Sequence, residues 1–324
     1  MLVTGASGYI GGQLALRLRR EGRSVRTLVR PSSQVDHLVA AGVDLVQGDI
    51  RNAEDVARAV EGVQLIYHIA GAFRTAGHSD GRYMDVNLGG TANVMAAARR
   101  HGVARVVHNS TIGVHVDVQE VPCTEDSPFN PGDAYQRSKL EGERCAREAF
   151  ASGLPGTICR PSSVYGPGDL RNLKLFKMLR LSRFWMFGSG ETLFHPAYID
   201  DLIEGLLLCG SHPAAIGRTY LLAGPEYVTL NQWVAAAARA VHREPPRRRL
   251  PYWPLGTAAA VCEAVCVPFG IEPPLHRRRA RFFVNKRAFS SARAREELGY
   301  DPRVGVDEGC RRTAAWYFEQ GYLA

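Results

Sequence analysis

From Met1 to about Arg160, short apolar runs alternate with amphipathic stretches. The runs are LVTG (2–5), SVRTLVR (24–30), VDLVQGD (43–49), VQLIYHIAG (63–71), ARVVHNST (104–111) and LPGTICRP (154–161). They are rich in Val, Ile and Leu and bounded by turn-forming residues, which predicts six strands. Between them the apolar positions move to helical spacing. Ile10, Leu14 and Leu18 share one face, Arg17, Arg19 and Arg20 fall mostly off it, and Gly22 stands where a C-cap is expected. This alternation predicts an α/β fold built on a doubly wound parallel sheet. The first strand is unusually short, so a residue or two is expected to be missing ahead of it.

After Arg160 the alternation fails. Pro and Arg become denser through PPRRRLPYWP (245–254) and IEPPLHRRRARFF (271–283). The expected division is a dinucleotide-binding Rossmann domain over 1–165, which also receives about 196–225, and a mainly substrate-binding lobe over 166–324. No internal repeat or low-complexity tail is visible.

Composition narrows the class. A chain of 324 residues at 45% hydrophobic is long enough for a full α/β core. The start lacks the basic and apolar regions of a secretory signal, and the longest apolar segment, Leu255 to Pro268, is interrupted by Glu263 and too short to span a bilayer. A cytoplasmic protein is expected. The seven cysteines are scattered and odd in number, which suggests reduced thiols. Cys262 and Cys266 would share a helix face without further ligands, so no metal is expected. The formal charge is +8, with clusters at Arg247–Arg249 and Arg277–Arg281. No aromatic-interleaved motif accompanies them, so they read as a solvated basic face, with no nucleic-acid or membrane partner expected.

TGASGYIGG (4–12) places Gly5, Gly8 and Gly11 directly after a strand and at the opening of a helix. There Gly5 permits a tight turn, Gly8 lets backbone approach a pyrophosphate and Gly11 allows close helix–strand packing, which together predict a dinucleotide site. A site for an unphosphorylated ribose carries Asp or Glu at the end of the second strand; here the chain reads Leu28, Val29, Arg30. An arginine forks onto a 2′-phosphate, so NADP(H) is the preferred cofactor, with NAD the alternative.

The stretch NPGDAYQRSKLEGE (130–143) holds one of only four lysines among 40 basic residues. Asp133 fits an N-cap with Gln136 in capping-box register, so Tyr135 and Lys139 project from one helix face. A free tyrosine, with a pKa near 10, is a poor proton carrier at neutral pH; lowering it by about three units takes roughly 4 kcal/mol. An ammonium about 5 Å away supplies roughly 3 kcal/mol at an effective dielectric near 20. A compact ammonium also suits two vicinal ribose hydroxyls better than a planar guanidinium does.

Taken in order, these segments resemble the extended short-chain dehydrogenase/reductase family, which includes NAD-dependent epimerases and dehydratases, 3β-hydroxysteroid dehydrogenases and dihydroflavonol reductases. The resemblance covers nearly the whole chain: TGASGYIG, GDI (48–50), YHIAG (67–71), VNLGGTANV (86–94), NST (109–111), YQRSK (135–139), RPSSVYGPGD (160–169), YIDDL (198–202) and ELGYDP (297–302). It implies that Tyr135 is the general acid/base, that Lys139 binds the nicotinamide ribose, and that Thr111, or failing it Ser110, hydrogen-bonds the reacting oxygen. It places Gly5, Gly8, Tyr9, Ile10, Gly11, Arg30, Asp49, Ile50, Ala70, Asn87, Pro161 and Ser163 around the cofactor, and Ser110, Tyr165, Arg171 and Phe194 toward the substrate. Asn87 equally fits a tie between helices and loops, and Tyr165 a packed ring. A homodimer built on the Tyr135 helix is also implied.

Two departures matter. Phe194 stands where many nucleotide-sugar members carry a diphosphate-binding arginine, and Arg30 matches the dihydroflavonol-reductase pattern. The leading expectation is an NADPH-dependent ketoreductase acting at a secondary alcohol or ketone carbon. The alternative is a redox-neutral nucleotide-sugar epimerase or dehydratase with bound NAD, its diphosphate held by Arg171, Arg248 and Arg281. A non-catalytic dinucleotide sensor would have no reason to keep Thr111, Tyr135 and Lys139 together.

Overall fold

The computed structural model describes residues 1–73, 80–115, 118, 120–266, 269, 271 and 273–323. The first half runs β1 (Leu2–Thr4), α1 (Tyr9–Arg20), β2 (Arg26–Val29), α2 (Asp36–Ala40), β3 (Asp44–Gln47), α3 (Ala53–Val60), β4 (Leu65–His68), α4 (Asp80–Met84), a π-helical turn at Asp85–Gly89, α5 (Gly90–Arg100), β5 (Arg105–Asn109), α6 (Ala134–Ala151) and β6 (Gly156–Pro161). The second half runs β7 (Ser163–Tyr165), α7 (Leu173–Arg180), β8 (Met186–Phe187), β9 (Leu193–Phe194), β10 (Pro196–Tyr198), α8 (Ile199–Ser211), β11 (Thr219–Leu222), β12 (Val228–Thr229), α9 (Leu230–Ala240), β13 (Arg249–Leu250), α10 (Tyr252–Cys266), α11 (Arg277–Arg281), α12 (Ala292–Leu298) and α13 (Val306–Glu319).

One seven-stranded sheet has the order β11-β6-β5-β4-β1-β2-β3, and its pairings are parallel. The six strands legible in the sequence are all present, and β11 from the second half adds the seventh. Alternate residues feed opposite faces, as the pleat requires. Val3, Tyr67 and Val107 join the core that holds Leu14, Leu18, Leu202 and Leu206, whereas their neighbours Leu2, Ile66 and Val106 join Val56, Val60, Val94 and Ala98 on the other side. The fold is therefore α/β and doubly wound. Its strand order reverses between β1 and β4, the crevice where such sheets bind ligands.

The chain leaves this layer after β6, pairs β7 in parallel with β10, and returns through α8 and β11. The intervening and following segments form small two-stranded pieces, β12 with β9 and β13 with β8. An aromatic cluster ties them down: Trp233 meets Phe194 at 5.1 Å and Tyr165 at 4.9 Å between ring centroids.

Candidate active site

The turn from β1 into α1 is shaped by what a side chain would strike. Gly5 has φ +76°, and a Cβ there would lie 2.7 Å from the Ala70 backbone; a Cβ on Gly11 would lie 2.4 Å from the Gly5 carbonyl oxygen. Both contacts are with backbone, which cannot step aside. Gly8 is the N-cap of α1, and no side chain caps this end. The first-turn N–H groups, those of Tyr9 and Ile10 among them, are thus left for an anion. Backbone this close-packed, with an uncapped helix start at the switch point, fits a dinucleotide pyrophosphate. Among the described residues the buried Tyr9 hydroxyl has no hydrogen-bond partner, and its ring lies 5.4 Å from the Arg171 guanidinium.

A relay of buried side chains fixes the facing loop after β4. Ala70 N–H donates to Thr4 Oγ1 at 3.2 Å, Thr4 Oγ1 lies 2.8 Å from His68 Nδ1, His68 Nε2 lies 3.0 Å from Thr91 Oγ1, and Thr91 donates to the Asn87 carbonyl at 2.6 Å. Burial, with the nearby Lys139 charge, pushes His68 down to about 3, so its ring is neutral. With Thr4 donating to Nδ1 and Nε2–H donating to Thr91, every bond in the chain has one donor and one acceptor. Asn87 completes the tie: its side chain accepts from Ala72 N–H at 2.8 Å and donates to Ala72 O at 3.2 Å and to Ser138 Oγ at 2.8 Å. Asn87 thus joins the β4 loop to α6.

At the other end of the crevice, Arg30 follows β2 and lines a cleft of about 500 Å³ with Pro31, Ser32, Gln47, Gly48, Asp49 and Asp55. Arg51 holds the Asp49 carboxylate through bonds of 2.7 and 3.0 Å and, with Arg30 adding to the field, keeps it below the usual carboxylate range. Ile50 packs against Gly90, and its carbonyl accepts from Asn93 at 3.0 Å.

Helix α6 starts as its sequence dictates. Asp133 accepts from Gln136 N–H at 2.8 Å while the Gln136 side chain accepts from Asp133 N–H at 3.0 Å. Tyr135, Lys139 and Glu143 follow at intervals of four, and all are buried. Lys139 Nζ donates to Asn109 O at 2.6 Å, and burial pulls it down to about 8, with Glu143 opposing the fall. A Cβ on Gly71 would stand 3.8 Å from Lys139 Nζ, so the loop that touches Gly5 also touches this lysine. The Tyr135 ring sits edge-on to Phe73 and Tyr83, at 5.2 and 6.2 Å. Thr111 Oγ1 accepts from Gly113 N–H at 3.0 Å, which leaves its own proton to donate.

Ser110 is committed elsewhere. It donates to Glu143 at 2.6 Å, and Glu143 also takes two bonds from Arg160, at 2.6 and 3.1 Å, and one from Arg147 at 2.9 Å. Burial raises the Glu143 carboxyl, but these partners together bring it below its usual range. Arg160, fully buried in β6, reaches on to His115 at 3.0 Å and to the Glu125 carbonyl at 2.9 Å. The sequence reading missed Glu143, Arg160 and Arg51; a charge inside an apolar strand was the available signal for Arg160.

The remaining expected residues lie on β6, β7 and the segments that follow. Pro161 closes β6 and Ser163 opens β7. Tyr165 is buried with its hydroxyl pressed against Gly309, and Phe194 packs between Trp233 and Phe282. Both rings are used in packing. Arg171 pairs with Asp169 at 2.6 Å and donates to Val164 O at 2.8 Å, and its guanidinium lies 5.8 Å from the Phe73 ring. No cluster that could hold a metal occurs among the described residues.

The pattern of the NAD dependent epimerase/dehydratase family matches residues 1–223. The chain is 29% identical to 2-alkyl-3-oxoalkanoate reductase of Stenotrophomonas maltophilia, over 97% of this chain and 98% of that protein. It is also 29% identical to sterol demethylase protein B of Methylococcus capsulatus, over 99% of each. The fold superposes on UDP-glucose 4-epimerase of Thermotoga maritima with a TM-score of 0.80 at 20% identity, covering 98% of both chains. The chain therefore belongs to the NAD-dependent epimerase/dehydratase family of extended short-chain dehydrogenases/reductases, a family of NAD(P)-dependent oxidoreductases and epimerases.

Proposed function

We propose that the protein is an NADP(H)-preferring ketoreductase that interconverts a ketone and a secondary alcohol. The observation that carries this reading is Arg30: it stands at the end of β2, where an NAD site places a carboxylate, and it lines the cleft beside Asp49. A guanidinium there pairs with a 2′-phosphate. The burial of Phe194 adds support, because that position offers no charge to a substrate diphosphate. So does the relative in Stenotrophomonas maltophilia named as a reductase of a 3-oxo acid.

The bound nicotinamide supplies or accepts the hydride. Thr111 donates to the substrate oxygen and holds the carbonyl in line. Tyr135 delivers its proton to that oxygen as the carbon gains the hydride, and takes it back in the reverse direction. Lys139, still mostly charged at neutral pH with its value held near 8, stabilises the phenolate and has N–H groups beyond the Asn109 bond for a ribose. The homodimer expected on α6 would cover the groove of about 450 Å³ lined by Met84, Phe129, Pro131 and Leu140.

The test is turnover by purified protein of a panel of cyclic and 3-oxo ketones with NADPH and NADH. Net oxidation of NADPH, faster than of NADH, is expected. Conversion of nucleotide sugars without net change in the cofactor would replace this reading with a redox-neutral epimerase or dehydratase.

A further inference from the structure

We propose that the outer face of α10, with the arginines at its two ends, docks on an anionic phospholipid bilayer. This goes beyond the catalytic reading and does not depend on it. Of the 15 residues of α10, only Ala259 is fully buried. Trp253 is 70% exposed and Val261 and Val265 are each 57% exposed; Phe269 and Ile271, just beyond the helix, are 77% and 59% exposed. Trp253, Thr257, Val261 and Val265 recur every fourth residue and so share a face.

That face carries no charge. The one charged residue of α10, Glu263, is turned to α11, where it accepts from Arg277 N–H at 2.8 Å and pairs with the Arg277 guanidinium at 3.4 Å. Exposed arginines stand at both ends: Arg247, Arg248 and Arg249 lead into the helix, and Arg277 and Arg281 belong to α11, which packs on α10. Between residues 243 and 287 there are ten Lys and Arg against three Glu, so this segment holds +7 of the formal +8. In the sequence alone these arginines read as a solvated face with no membrane partner. The uncharged apolar stripe between them changes that reading.

An apolar stripe with aromatic residues and flanking arginines matches a helix lying in the bilayer interface, its ring and aliphatic groups among the acyl chains and its cations among phosphates. At 15 residues α10 is about 22 Å long, short of the roughly 30 Å hydrocarbon core, so it lies on the membrane. No helix among the described residues is long and apolar enough to cross. A second copy is a poorer occupant, because a twofold pairing of the stripe sets arginine clusters against each other. Nucleic acid would leave the stripe uncovered.

Flotation of the purified protein with vesicles tests this. Vesicles of phosphatidylcholine with roughly one third phosphatidylglycerol should carry the protein at low salt, pure phosphatidylcholine vesicles should not, and high salt should release it. Trp253 emission should shift to the blue on binding, and Trp253→Phe should remove most of that shift. Val261→Asp, and separately the triple change Arg247→Gln, Arg248→Gln, Arg249→Gln, should each weaken binding by tenfold or more, to about a hundredfold for the triple, with melting temperature checked for folding. The proposal is overturned if wild-type protein ignores the anionic vesicles, if it floats equally well on the neutral ones, or if Val261→Asp floats as wild type does. It is also overturned if vesicle binding is absent while Val261→Asp disperses a self-associated species in sedimentation. The wild-type emission and salt responses stand even if a variant fails to fold.

Discussion

Lys139 Nζ donates to the Asn109 carbonyl oxygen at 2.6 Å in a fully buried setting. Folding therefore removes an ammonium from water for one hydrogen bond and the field of Glu143, four residues along the helix. Its value falls from 10.5 in the unfolded chain to about 8. Between those values the unfolded state binds more protons than the native state, so this residue makes stability rise with pH from about 8 to 10.5, by up to about 3 kcal/mol. Below pH 8 the full cost is present. Urea denaturation of nucleotide-free protein should show that slope, and Lys139→Met should lack it. The variant should melt at or above wild type at pH 7 and still be nearly inactive.

On the proposed reading Tyr135 moves the proton, so removing its hydroxyl should remove the chemistry and leave the cradle intact. Tyr135→Phe is expected to lower kcat by about 10²- to 10⁴-fold while nucleotide affinity stays close to wild type. Steady-state kinetics with calorimetric nucleotide titration separate the two effects. Activity near wild type would end the assignment of Tyr135 as acid/base.

The parts of this site that could be read from sequence are those set by local rules. The capping box at Asp133 and Gln136 and the four-residue step from Tyr135 to Lys139 both lie within one helix turn or two, and strand alternation revealed six of the seven sheet strands. What stayed hidden depends on distant segments meeting. Glu143 finds Arg160 only because α6 packs on β6, and His68 finds Thr4 and Thr91 only across the sheet. Phe194 drew attention for the arginine it replaces, yet its place is set by Trp233 and Phe282, which only the folded lobe brings to it.

Arg30 should govern the choice of nucleotide. Its side chain is exposed at the mouth of the cleft, and its substitution disturbs no core packing. A charge-assisted bond to a 2′-phosphate is worth about 1.5 to 3 kcal/mol, so Arg30→Ser should raise KM for NADPH about 10- to 100-fold. KM for NADH should barely move, since NADH offers no phosphate at that point. Equal losses with both nucleotides would remove the argument for an NADP(H) enzyme.

Glu143 ties the buried Arg160 charge to the charge on Lys139. Its carboxylate meets Arg160 at 2.6 Å with both side chains almost wholly buried, and Ser110 and Arg147 fill the remaining acceptor positions. Glu143→Gln leaves the Arg160 charge buried without a counterion, which should cost about 3 to 5 kcal/mol in denaturant unfolding. Replacing both, as Glu143→Leu with Arg160→Met, should cost less than the single change, because no lone charge is left behind. The pH dependence has a definite sign. The native carboxyl lies below the unfolded value of 4.5, so its contribution is complete above that pH and is lost as pH falls through the native value. Glu143→Gln should lack this acid slope. Glu143 also holds Lys139 up against the effect of burial, so its loss should lower the lysine further below about 8. The alkaline limb of the kcat profile should then move to lower pH in Glu143→Gln. A residue that served packing alone would change stability and leave that limb in place.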